Sequence, residues 1–160
     1  MIKKLALLGM LFLVGCKGDI SDAGLHYCSD MLSEYQVTTV DGGNKKEVES
    51  RFDHVDNAYL NVIHNRKFAF SYQLNNLWHT DADMKYELTG DNMLGTVVSH
   101  EQDPIDKSLT IEKTIALTVN TYNGETKRTM TKSYIDKDKS EVRTETLAIT
   151  GQCDFDAQNI

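Results

Sequence analysis

The amino-acid sequence predicts a mainly β chain, folded as an antiparallel meander that forms a small barrel-like sheet or a sandwich, with one short N-terminal helix. Three observations carry this reading. Apolar and polar residues alternate at period two in several separate runs, most clearly Phe68, Phe70, Tyr72 and Leu74 against Ala69, Ser71 and Gln73, as a strand with one face in a core requires. These runs are short and recur at a spacing of about 8–12 residues, as in sandwiches and barrels. Between them stand Gly, Asn and Asp, which tolerate φ > 0, and the one proline, Pro104, sits in a polar loop at 101–106. The sequence contains no long helical crossover and no glycine-rich strand-to-helix turn, which disfavours a parallel α/β architecture.

In chain order, Leu25, Cys28, Met31 and Leu32 recur at helical spacing behind Ser21 or Asp22 as a cap, predicting a helix over 23–34. Residues 35–40 are rich in β-formers, a turn follows at 41–44, and strands are expected at 46–52 and 58–64. Asn65-Arg66 is a tight turn into the strand at 68–74, which Asn75-Asn76 ends. Met84, Tyr86 and Leu88 alternate, residues 89–92 turn, and Val97-Val98 mark the strand at 93–100. After the proline loop, Ile111, Ile115, Leu117 and Val119 form a strand, and Asn123-Gly124 is a strong hairpin signal. The return strand at 125–135 alternates Thr126, Arg128, Met130, Lys132 and Tyr134 against their neighbours and reads as part of an exposed hairpin with edge protection. A last strand spans 142–150. Val142 has the opposite parity to Leu147 and Ile149, so a bulge is expected between them.

The N-terminus is of another kind. Lys3 and Lys4 precede an apolar run from Leu5 to Val14, too short for a bilayer core of roughly 30 Å but suited to a signal h-region. Leu13-Val14-Gly15-Cys16 resembles the lipobox of bacterial lipoproteins. The resemblance implies removal of residues 1–15 as a signal peptide, acylation of Cys16 with fatty chains such as palmitate, and stable anchoring by more than one chain. Residues 16–24 are then a lipidated anchor and short leader, and 25–160 a single β-rich domain. Enterobacterial lipoproteins with Asp directly after the cysteine stay in the inner membrane. Lys17 stands at that place here, so the resemblance implies the outer membrane, on its periplasmic or its surface face. In a Gram-positive host the same anchor would hold the domain on the outer side of the cytoplasmic membrane.

The formal charge is −7, and removing residues 1–15 takes away two lysines and no acid. That balance disfavours nucleic acid and anionic lipid surfaces as partners and favours a basic protein. A mature chain of about 150 residues can bury roughly 68–70% of its unfolded surface, enough for one core. Beyond Cys16, Cys28 and Cys153 remain in an exported chain, and they are expected to pair. Such a bridge would stabilise by about 4–5 kcal/mol in the chain-entropy account.

No CxxC, HxH or HExxH spacing is present, and neither a metal nor any other cofactor is expected. The oxygen-rich stretches Asp53-His54-Val55-Asp56-Asn57 and His79-Thr80-Asp81-Ala82-Asp83 are candidate cation turns, although neither has EF-hand spacing. Ser99-His100-Glu101 has the residue types of a triad but not the geometry, since neighbours on a strand point to opposite faces. The chain therefore reads as a non-enzymatic protein-binding module of the cell envelope, of inhibitor, receptor-masking or assembly type. Trp78, Tyr122 and Tyr134 are its candidate contact residues, because aromatic side chains dominate interface energetics. The Tyr27-Cys28 start, the late Cys153, the β content and the acidic charge are similar to those of small lipoproteins that inhibit lysozyme-type wall hydrolases, although this chain is longer. The alternative is a carrier whose barrel holds a lipid-like ligand between Phe68, Phe70, Tyr72, Met84 and Tyr86.

Overall fold

The computed structural model describes residues 23–41 and 43–155, so the lipobox and Cys16 lie outside the described residues. Its strands are β1 (Gly24–Asp41), β2 (Asn44–His54), β3 (Asn57–Ile63), β4 (Lys67–Leu74), β5 (Leu77–Thr80), β6 (Met84–Thr89), β7 (Asn92–Gln102), β8 (Thr110–Asn120), β9 (Glu125–Ile135) and β10 (Glu141–Cys153). All of their pairings are antiparallel. Because β10 returns to pair with β1, eight strands close a barrel in the order β1-β3-β4-β6-β7-β8-β9-β10, and β2 and β5 are additions to it.

The barrel closes at one end only. Residues Gly24 to Cys28 of β1 pair with β3, whereas from Leu32 onward the same side of β1 pairs with β2. Lys67 and Phe68 of β4 pair with β6, but Ser71 to Leu74 pair with β5. β7 pairs with β6 from Asn92 to Gly95 and then continues along β8 alone to Gln102. The lower end, where the chain enters at Gly24, is therefore a closed barrel. Above it one wall continues as an open sheet in the order β2-β1-β10-β9-β8-β7.

The expected helix over 23–34 is instead the lower half of β1. Cys28 pairs with Cys153 and Ser29 with Gln152, but Leu32 is the next residue in register, with Thr150. Asp30 and Met31 thus form a bulge, and Asp30 has φ = 53°. The bulge resets the alternation: His26 and Cys28 are buried below it, Met31, Ser33 and Val37 above it. The resulting step of three from Cys28 to Met31 imitates a helical turn.

The inward side chains form one core that includes Leu60, Phe68, Phe70, Met84, Met93, Leu117 and Ile149. Phe68 stacks on Tyr86 at 5.2 Å and Phe70 on Tyr72 at 5.9 Å, so the residues proposed as a ligand lining pack on one another. Gly95 makes this packing possible, since a Cβ there would lie 2.7 Å from the Phe68 ring. The downward run of β5 and β6 breaks at 81–83, and the break turns Asp81 inward. Its carboxylate accepts two hydrogen bonds from Arg128, at 2.8 and 2.7 Å, with the two side chains 6% and 2% exposed. Asp81 therefore faces a cation of the chain itself.

The expected disulfide is present, joining Cys28 and Cys153 across a sequence separation of 125. Asn65-Arg66 and Asn75-Asn76 are tight turns with positive φ at both residues, as two-residue hairpins of twisted strands require. The expected Asn123-Gly124 hairpin joins β8 to β9. Its turn spans 121–124, the Asn120 side chain accepts hydrogen bonds from the Tyr122 and Asn123 amides, and Gly124 takes φ = 75°. The β10 irregularity falls between Glu141 and Arg143, at Val142 itself rather than beyond it. One further expectation is corrected. β9 is no edge hairpin, because β8 and β10 flank it along its whole length.

Candidate functional site

The open sheet has two faces of different chemistry, and register assigns every residue to one of them. On the side continuous with the barrel interior, an apolar row runs Tyr35-Leu147-Met130-Ile115-Val97, with Arg51 at its β2 end. Above it comes the row Glu49-Val37-Glu145-Lys132-Lys113-Ser99, and above that Lys46-Thr39-Arg143-Tyr134-Ile111-Glu101. The opposite side is a carpet of small residues, among them Thr96, Thr114, Ala116, Thr129, Thr131, Thr144, Thr146 and Ala148. A sheet that prolongs a barrel wall keeps the wall's coiling, so the first side is concave.

That concave face is a lattice of aromatic rings and charges. Arg51 lies over the Tyr35 ring at 4.8 Å and Arg143 over the Tyr134 ring at 5.2 Å, within cation–π range. Tyr134 donates its hydroxyl hydrogen to Glu145 at 3.0 Å, and Arg143 pairs with the same carboxylate at 2.6 Å. Burial, then the hydrogen bond to Glu145 and the negative charge of that carboxylate, push the Tyr134 phenol up to about 12. Burial, then Glu145 and Glu49, raise the Tyr35 phenol as well. Val37 and Ile111 are buried beneath these longer side chains.

Two half-buried cations on this face are not neutralised. Lys113 and Lys132 stand directly opposite each other in register, and neither has an ion-pair partner among the described residues. Glu145, the nearest carboxylate in register with Lys132, is engaged by Arg143 and Tyr134.

The three candidate contact residues do not converge. Tyr134 lies on the concave face. Trp78, 53% exposed, is on the outer wall of the barrel, stacked on Tyr59 at 5.9 Å. Tyr122, 89% exposed, is at the lower end in the β8–β9 turn. Nor do the candidate cation turns assemble, and among the described residues no group of three His, Cys, Asp or Glu could hold a metal ion. His100 pairs with Glu112 at 2.9 Å, not with its sequence neighbours. Tyr35, Arg51, Lys113, Arg143 and Glu145 were not identifiable as site residues from sequence, since their common face depends on the register of five strands. The alternation that places Arg128, Met130, Lys132 and Tyr134 together was the one available signal. Comparison of the chain with protein-family models, with curated proteins and with solved structures finds no match.

Proposed function

We propose that this chain is a lipid-anchored protein of the bacterial envelope, held at the outer membrane through Cys16, and that it acts as a non-enzymatic protein-binding module through the concave face of its open sheet. One observation carries the reading: Lys113 and Lys132 stand side by side on a half-buried face with no ion pair among the described residues, the adjacent Glu145 being engaged by Arg143 and Tyr134. Like charges directly opposite in a sheet destabilise it. Folding alone gives no return for that cost, whereas a partner that brings carboxylates to this place removes it. The flanking Tyr35, Tyr134, Arg51 and Arg143 are the residue types that carry interface energy.

Geometry is consistent with this role. The chain enters at the lower end, and from Leu32 the upper strands run about 30 Å further. The face is therefore offered away from the anchor. The packed barrel interior supplies no comparable support for a carrier.

Crosslinking in intact envelopes tests the proposal. The wild type is expected to capture one dominant protein, a Cys16→Ala form to lose it, and a Lys113→Ala/Lys132→Ala form to capture about tenfold less. The same double variant should be no less stable than the wild type, because it relieves repulsion. Undiminished capture by the lysine variant would remove the concave face as the site. Bound lipid in place of a captured protein would restore the carrier.

A further inference from the structure

We infer that the outer wall of the barrel formed by the start of β1 together with β3, β4 and β5 lies against the membrane that holds the anchor; this rests on the acylation of Cys16. The wall carries a ladder of rings, exposed at Tyr27 and Trp78 and half-buried at Tyr59. Tyr27 meets Tyr59 edge-on at 5.6 Å, and Tyr59 stacks on Trp78 at 5.9 Å. Leu25, Tyr27 and Trp78 are 57%, 50% and 53% exposed. Tyrosine and tryptophan favour the headgroup boundary of a bilayer, where a ring body meets apolar chain and its polar edge meets water.

Charge points the same way. In a chain of net charge −7, Gly24 to Cys28 of β1 and the whole of β3, β4 and β5 contain no Asp or Glu. At the lower margin of the wall Lys67 and Lys85 pair across strands, and Arg66 stands exposed in the adjoining turn. A wall without carboxylates, aromatic in its middle and basic at its rim, complements zwitterionic phospholipid headgroups. The carboxylates that would be repelled there are placed elsewhere on the molecule.

Tether length supplies the proximity. From Cys16 to Gly24 the chain reaches at most about 28 Å, and Leu25 and Tyr27 follow at once. The wall is thus the surface joined most directly to the anchor, while the concave face lies at the far end. In this arrangement lipid contact and partner contact use different surfaces.

Trp78 is the one tryptophan in the chain, so its emission reports on this wall alone. The full chain, purified from envelopes and with acylation established by intact mass, is reconstituted into phosphatidylcholine vesicles whose acyl chains carry bromine at a shallow or a deep position. Trp78 emission is expected to shift to the blue and to fall about twofold with the shallow label, and less with the deep one. A Tyr27→Asp form that floats with the vesicles should lose most of that quenching. Acylated protein that floats with the vesicles while Trp78 stays unquenched by both labels would overturn the inference and leave the anchor standing. A blue shift only on addition of envelope proteins would assign the wall to a protein and overturn it equally. Absence of acylation would overturn both together.

Discussion

Two arginine–carboxylate pairs stand on the inward face of the same wall, and they show how the closed and open ends of the molecule differ. At the lower end Arg128 of β9 meets Asp81 through two hydrogen bonds, with side chains 2% and 6% exposed, and its Cζ lies 5.0 Å from the Tyr72 ring centroid. At the upper end Arg143 of β10 meets Glu145 with side chains 45% and 16% exposed. The chemistry is the same and the surroundings are not. In the closed barrel the pair is enclosed by core, so each charge depends wholly on the other. On the open sheet water screens the pair, and its members remain available to a partner.

Breaking each pair should separate the two ends most sharply. Arg128→Ala is expected to cost about 3–5 kcal/mol in denaturant unfolding, because it strands the Asp81 carboxylate inside the barrel. Arg143→Ala should cost less than about 1 kcal/mol. The double replacement Asp81→Leu/Arg128→Met should recover much of the loss, since apolar groups of similar volume often substitute well for a buried pair. Equal costs for the two single variants would mean that the upper sheet is as enclosed as the barrel.

A second contrast concerns the backbone. At the lower end Gly124, at φ = 75°, lies so close to β10 that a Cβ would sit 2.1 Å from the Cys153 carbonyl oxygen. Gly124→Ala is therefore expected to lose about 2–4 kcal/mol through strain and forced displacement of the strand end that carries the disulfide. Gly43, in the turn between β1 and β2 at the upper end, also has positive φ, at 84°, but nothing lies within 4 Å of its Cβ position. Gly43→Ala should cost only the conformational strain, about 1 kcal/mol. Thermal unfolding of the two variants side by side measures the difference.

These contrasts also mark where sequence reading succeeds and where it stops. Alternation in Phe68 to Leu74, the asparagine turns and the cysteine pair were legible because each depends on neighbouring residues or on chemistry that has few alternatives. β1 was misread because a bulge at Asp30 and Met31 shifts the period of its buried residues. No local rule separates that shift from a helical turn. β9 was misread as an edge because its lysines and threonines suit an exposed strand. In fact its threonines cover the convex face, and Lys132 belongs to the concave one. The concave site was hidden for a related reason: Glu49, Val37, Glu145, Lys132 and Lys113 lie far apart in the chain and meet only once the register of five strands is set.

The smallest expected effect tests the electrostatics of that concave face. Tyr134 keeps its phenol proton up to about 12, whereas an unfolded chain would release it near 10. Between those values the unfolded state binds fewer protons than the folded one, so stability falls as pH rises through this window and is fully present below it. Tyr134→Phe removes both the titration and the hydrogen bond to Glu145, a loss of about 1 kcal/mol at neutral pH. The wild type should therefore be the more stable form at neutral pH, and its advantage should shrink as pH passes 10. Urea unfolding of both forms at the two ends of the window gives the comparison. An advantage that does not change with pH would mean that in solution the phenol is neither buried nor bonded to Glu145, and the tyrosine would then stand free for a partner before binding.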